Sequence, residues 1–269
     1  MRLDDVRGFV LDVDGTLVHR AGEETHVQPG AREVLARIRA SGRPLAVFTN
    51  GSYAAPEAFA AGLREVGLEV ADEELLTPLR SVQSYLRAHH RDGGVLLFGN
   101  DAARDFLLGA GVRILSGKEG EHADAVFVAT PDSVDFEELE RAARAVLAGA
   151  RLLTGSYAPA YAGANGPIFS RGAMVAAALG KATGARPVIV GKPSRAALQT
   201  ISERLGAPTA ELAVIGDDLG MDIALGRLGG SRTILVRSGI SGPIDLERVP
   251  ERRRPDAIVD GVAELLAWL

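Results

Sequence analysis

The chain has 269 residues, 46% of them apolar and 24% charged, with a net charge of −5 and no cysteine. That length allows one large domain or two modest ones, and the composition is that of an ordinary globular protein. The mild acidity argues against nucleic acid as a partner, the lack of cysteine excludes a disulfide framework, a thiol nucleophile and a thiolate metal site, and no apolar run is long enough to span a bilayer.

The N-terminal residues Met1-Arg2-Leu3-Asp4-Asp5 are acidic and carry no apolar signal-peptide region, so a soluble cytoplasmic protein with no membrane partner is expected. Phe9-Val10-Leu11 then reads as a strand buried on both faces. It ends in Asp12-Val13-Asp14-Gly15-Thr16. Two carboxylates one residue apart at a strand's carboxyl end repel each other and resist burial, and a divalent cation removes that difficulty. Carboxyl ends of strands in open α/β sheets are also where ligands bind. The plainer alternative is an Asp-Gly turn after a solvated Asp.

Pro29 to Ala40 carries Val34, Leu35 and Ile38 on one helical face, with Gly42 as a stop. Pro44 to Thr49 is a second buried strand, running into Thr49-Asn50-Gly51-Ser52. Helices are predicted over Pro56 to Val66 and Pro78 to His89. The middle of the chain holds three more strand candidates, Val95 to Phe98, Ala125 to Ala129 and Arg151 to Thr154, with helices near Asp101 to Gly109 and Asp135 to Ala148. A helix from Ser170 to Leu179 contains Ala176-Ala177-Ala178 and suits close packing. Val188-Ile189-Val190 reads as a strand leading into Gly191-Lys192-Pro193-Ser194, and Leu212 to Ile215 as one leading into Gly216-Asp217-Asp218-Leu219-Gly220-Met221-Asp222. Strands at Thr233 to Val236 and Ala257 to Val259 follow, with the solvated cluster Glu251-Arg252-Arg253-Arg254 between them.

This βα rhythm predicts an α/β fold with a mainly parallel sheet and helices on both faces. Residues 1–78 and 185–269 are expected to form that core, with a second small α/β domain over 79–184 inserted into it. Four strands then end in polar groups at one edge, bringing together carboxylates, an ammonium, a hydroxyl and an amide. Taken singly, Thr49-Asn50-Gly51 reads as a turn or helix cap, Lys192 as a solvated lysine, and Asp217 and Asp218 as caps. Together they resist that reading. Lys118, Lys181 and Lys192 are the only lysines in an arginine-rich chain, and an ammonium is not interchangeable with a guanidinium.

In this order and placement the motifs Asp12-Val13-Asp14-Gly15-Thr16-Leu17, Thr49, Lys192 and Gly216-Asp217 with Asp222 resemble those of the haloacid dehalogenase (HAD) superfamily hydrolases. The insert resembles that family's C2-type cap. Phe48-Thr49-Asn50-Gly51-Ser52, Thr154-Gly155 with Gly166-Pro167, and Val190-Gly191-Lys192-Pro193 point to subfamily IIA, the NagD-like and 4-nitrophenyl phosphatase-like branch. The sequence departs from the common serine run after Thr49-Asn50, showing Gly51-Ser52-Tyr53-Ala54, and its aspartate-containing cap segment reads Ala129-Thr130-Pro131-Asp132.

The resemblance implies a Rossmann-like core and a phosphatase acting on a small phosphorylated metabolite, such as a nucleotide, sugar or glycerol phosphate. It implies Asp12 as nucleophile forming an aspartyl-phosphate and Asp14 as acid and base. Lys192 would balance charge, and Thr49 with the N–H groups of Asn50 and Gly51 would bind the phosphoryl group. Mg²⁺ would be held by Asp12, the Asp14 carbonyl and Asp217, with Asp222 supporting the site or holding Lys192. Specificity is expected in the cap, from Thr130-Pro131-Asp132-Ser133 and from Tyr157, Tyr161 and Asn165, and a homodimer through the cap is among the assemblies the family uses. A phosphotransferase, or a phosphometabolite-binding protein on the same fold, is the rival reading. A dehalogenase has no need of Asp14, and no Walker loop or Gly-x-Gly-x-x-Gly follows a strand.

Overall fold

A computed structural model describes residues 2–21, 24–163, 166–242 and 244–269, without the side chains of residues 21 and 160–168. The chain divides into two compact units, the first comprising Met1–Thr49, Pro56–Leu76 and Lys192–Leu269, the second Asn50–Ala55 and Thr77–Gly191. Among the described residues no helix is long and apolar enough to cross a membrane.

The first unit is built on a six-stranded sheet. In spatial order its strands are Ala257–Val259, Arg232–Val236, Leu212–Gly216, Gly8–Asp12, Leu45–Phe48 and Leu75–Leu76, every neighbouring pair being parallel. Alternate residues face opposite sides, as strand geometry requires. Phe9, Leu11, Val47 and Ile215 pack with Val34, Leu35 and Ile38 of the helix Ala31–Ala40 and with Ala60 and Leu63 of the helix Pro56–Glu65. Val10, Ala46 and Val214 pack on the other side with Ala197, Ile201 and Leu205 of the helix Arg195–Leu205. Both faces are therefore dry, which explains why these strands read as unbroken apolar runs.

The second unit has its own parallel sheet, in the order Val188–Ile189, Arg151–Thr154, Ala125–Val128, Gly94–Phe98 and Arg113–Leu115. Leu96, Val126 and Val128 pack against Ala142 and Val146 of the helix Phe136–Leu147 and against Ala176 and Leu179 of the helix Arg171–Thr183. Of the alanine run of the latter helix only Ala176 packs into this core, while Ala177 and Ala178 are exposed.

One strand sits elsewhere than the sequence reading placed it. Val188–Ile189 pairs with Leu153 and Thr154 in the second unit's sheet, so it is not a fourth strand end of the core. Val190 continues that attachment by donating its N–H to the Thr154 carbonyl, and Gly191 does the same to Gly155. This pairing carries the second unit through Gly191, beyond the expected residue 184. Two hairpins also escaped the sequence reading: Val18–Ala21 with Glu24–Val27, and Ala160–Gly163 with Gly166–Phe169. Each strand has four residues, too few for a period-two pattern to stand out.

Packing of the helix Arg171–Thr183 onto the second sheet yields a test. A Cβ at Gly172 would lie 2.2 Å from the Ala129 carbonyl oxygen, whereas one at Gly62, in the helix Pro56–Glu65, would meet nothing within 4 Å. Gly172→Ala should lower stability by about 1–3 kcal/mol through overpacking. Gly62→Ala should raise it by about 0.5–1 kcal/mol through helix propensity. Urea unfolding of the two variants checks both signs, and a neutral Gly172→Ala would contradict the close approach.

Candidate active site

Three adjacent strands of the first unit deliver polar groups to one edge. Asp12 ends the central strand, opposite Phe48, and Leu11 is opposite both Val47 and Ile215. Thr49 follows Phe48 directly and is buried, its N–H donating to the Leu76 carbonyl. Asp217 follows the strand Leu212–Gly216, and a turn of π-helix over Leu219–Ile223 brings back Asp222.

Lys192, the residue at which the chain finally returns to this unit, supplies the ammonium. Its Nζ donates to Asp12 Oδ1 at 2.6 Å, Asp222 Oδ1 at 2.6 Å and the Phe48 carbonyl at 2.7 Å, three acceptors for three protons. The side chain is 3% exposed. Burial opposes its charge, but the carboxylates of Asp12 and Asp222 outweigh burial and hold the ammonium pKa above the usual lysine range.

Three carboxylates share this one ammonium. A carboxylate oxygen from each of Asp12, Asp217 and Asp222 lies within 4.8 Å of the others. Burial, more than the neighbouring Asp222 and Asp217 charges, pushes Asp12 well above the normal carboxylate range despite the attraction of Lys192. Asp217 is pushed up to about 7 by burial first and by Asp222 second, partly offset by the Ile240 N–H at 2.7 Å. Asp12 Oδ2 is buried and accepts no hydrogen bond among the described residues. A buried, unpaired carboxylate oxygen beside two further carboxylates is a hard-oxygen donor set with surplus negative charge, and a divalent cation fits it.

Asp218 resolves an ambiguity of the sequence. Its Oδ1 accepts from the N–H groups of Gly220 at 2.6 Å and Met221 at 3.2 Å, so Asp218 is the cap and Asp217 the cluster member. Its pKa is raised, chiefly by burial and then by Asp222.

Asp14 stands apart from the cluster. Its carboxylate is half-exposed and paired at 2.5 Å with Nε of Arg20 on the strand Val18–Ala21, so any part it takes in metal ligation rests on its main-chain carbonyl. Arg20 escaped the sequence reading together with its hairpin. The loop beyond Arg232–Val236 escaped it too. Ser238 donates to the Gly15 carbonyl at 2.7 Å, Ser241 Oγ accepts from Leu219 N–H at 3.1 Å, and a Cβ at Gly239 would lie 1.9 Å from Asp217 Oδ2. The signal was present, since Ser238-Gly239-Ile240-Ser241-Gly242 follows a predicted strand and has the composition of the other strand-end loops.

Asn50 and Gly51 belong to the second unit. There Thr130 pairs through its hydroxyl with Ser52, Asp132 and Tyr157 are exposed, Asn165 lies outside the described residues, and so does the side chain of Tyr161.

Residues 9–113 match the family described as haloacid dehalogenase-like hydrolase, and residues 189–265 match a family described as HAD-hydrolase-like. The chain is 28% identical over 257 residues to the dihydroxyacetone phosphatase of Corynebacterium glutamicum, covering 96% of this chain and 90% of that protein. The solved p-nitrophenyl phosphatase from Archaeoglobus fulgidus is 26% identical with a TM-score of 0.87, covering 98% of this chain and 100% of that one. NagD from Escherichia coli K-12 is 28% identical with a TM-score of 0.83, covering 96% and 98%.

The carboxylate cluster predicts a pH-dependent response to cations. An Asp217 carboxyl that titrates near 3.8 in the unfolded chain and at about 7 in the fold makes its ionisation increasingly costly to the fold between those values. Stability is therefore lost as pH rises through that window, and a bound divalent cation relieves the repulsion. The gain in thermal midpoint on adding magnesium chloride should be larger at about pH 8 than at about pH 5.5. Equal gains would place the cation away from this cluster.

Proposed function

The chain belongs to the haloacid dehalogenase-like hydrolases, and on that premise we propose that it is a Mg²⁺-dependent phosphatase of small phosphomonoesters working through an aspartyl-phosphate. The observation that carries this reading is Asp12: a carboxylate at a strand end, held through one oxygen by Lys192, its other oxygen buried and unpaired among the described residues beside Asp217.

In this reading an Asp12 oxygen attacks phosphorus in line, forming the acyl-phosphate bond as the ester P–O bond breaks. Asp14 gives its proton to the departing alkoxide. In the second half Asp14 takes a proton from water, the water oxygen bonds to phosphorus, and the bond to Asp12 breaks, releasing orthophosphate and regenerating the carboxylate. Lys192 keeps Asp12 oriented and offsets charge on the phosphoryl oxygens. Thr49 and the N–H groups of Asn50 and Gly51 bind those oxygens. Arg20, donating to Asp14, orients that carboxylate. The Asp12 and Asp217 carboxylates and the Asp14 carbonyl would hold Mg²⁺, with Asp222 fixing Lys192 beside them. Mg²⁺ would supply positive charge against the phosphate dianion. Relatives named for dihydroxyacetone phosphate and p-nitrophenyl phosphate support small esters as the substrate class.

Two substitutions test the roles. Asp12→Asn should abolish phosphate release while leaving the thermal transition cooperative, because an amide does not attack phosphorus; near-wild-type turnover would remove Asp12 from its role. Asp14→Asn should slow hydrolysis of alkyl phosphates by about 10²–10⁴-fold and of 4-nitrophenyl phosphate much less, since 4-nitrophenolate leaves without a proton. Equal losses on both substrates would contradict the acid assignment.

A further inference from the structure

The residues after Thr49 fold with the second unit, and not with the strand they leave. Ser52 is buried, and its Oγ lies 2.9 Å from Thr130 Oγ1. Asn100 grips the next residue. Its Oδ1 caps the helix Asp101–Gly109 by accepting from Ala103 N–H at 3.0 Å, while its Nδ2 donates to the Tyr53 carbonyl at 2.7 Å. At the other end of the segment, a Cβ on Gly191 would sit 2.6 Å from Asn50 Oδ1, so the backbone there approaches Asn50 closely. The six residues Asn50–Ala55 are thus seated at Asn50, Ser52 and Tyr53.

The partner of Ser52 is itself fixed. Thr130 lies just past the strand Ala125–Val128. Arg171 Nη1 donates to the carbonyls of Pro131 at 3.5 Å and Asp132 at 3.3 Å. Gly172 abuts the Ala129 carbonyl. With its hydroxyl turned to Ser52, Thr130 has a task other than contacting a leaving group.

We propose that Thr130, with Asn100, is a positioning residue for the Asn50–Gly51 peptide groups, so that these residues bear on the phosphoryl group those peptides are proposed to bind and not on the leaving group. The inference deepens the function proposed above and rests on its assignment of Asn50 and Gly51 to the phosphoryl oxygens.

The test measures orthophosphate binding to the full chain by calorimetry with Mg²⁺ present, alongside KM and kcat for 4-nitrophenyl phosphate and a panel of sugar phosphates. Thr130→Val, which keeps the shape and drops the hydroxyl, should weaken orthophosphate binding by about two- to tenfold, the worth of a neutral hydrogen bond. KM should rise by a similar factor for every ester, with kcat little changed. Thr130→Ser should restore wild-type values. Asn100→Asp retains a capping oxygen and loses the donor to Tyr53, so it should act in the same direction without a large loss in thermal midpoint. Unchanged orthophosphate affinity in Thr130→Val would overturn the proposal. So would a KM effect confined to one class of ester, which would assign Thr130 to the leaving group. Equal defects in Thr130→Val and Thr130→Ser would overturn it by making packing, not the hydroxyl, the cause. A wild-type chain that binds orthophosphate with these responses and hydrolyses no ester would refute the phosphatase reading and sustain the positioning role.

Discussion

The ammonium of Lys192 is the interaction on which the site depends. Asp12, Asp217 and Asp222 converge with a carboxylate oxygen of each within 4.8 Å of the others in a mostly buried position, which like charges resist. One buried cation touching two of them makes the arrangement tenable without satisfying it. Removing one partner of a buried ion pair is strongly destabilising, because the remaining charge stays desolvated and alone. Here the loss of Lys192 would strand two carboxylates at once. The residual negative charge suits the cluster to the divalent cation proposed for it, and Asp12 Oδ2, without a hydrogen bond among the described residues, is an atom such a cation would hold.

The chain's course places Thr49 and Lys192 at crossings between the two units. Thr49 is the last residue before the chain first enters the second unit, and Lys192 the first after it finally returns. Both proposed phosphoryl-binding groups in the first unit are therefore anchored at junctions. A strand end offers a fixed backbone with unpaired polar groups, and a junction allows the following residues to be set by different neighbours. Ser52 and Thr130 fall in the two segments where the sequence departs from its family's usual pattern, and they bond to each other. A change in one segment would thus be felt in the other.

Most strands of the two parallel sheets and the helices up to Arg171–Thr183 were legible in the sequence, because apolar runs bounded by Pro and Gly mark buried elements. The helix starting at Pro78 with Thr77 as its cap is one such case. The helix Arg195–Leu205, by contrast, was not singled out. Asp12, Asp217 and Lys192 were legible because charged residues at the ends of apolar runs need a reason to be there. The ownership of Val188–Ile189 was not, since an apolar run says that a strand is buried and nothing about which sheet buries it. Arg20 was illegible for a different reason. Its alternation with Val18 is only two residues deep, and its partner Asp14 is identified by a loop geometry that composition does not encode.

The preference for lysine in a chain otherwise rich in arginine follows from the same geometry. Three acceptors lie 2.6–2.7 Å from a single nitrogen: a carboxylate oxygen from each of two different segments and a main-chain carbonyl from a third. A tetrahedral ammonium presents three protons to three directions, whereas a guanidinium spreads its donors in one plane and suits a bidentate partner. Arginine at this position would pair well with one carboxylate and abandon the others. Lysine alone can tie Asp12, Asp222 and the Phe48 carbonyl to one point, and that point fixes Asp12, the proposed nucleophile, at the sheet edge.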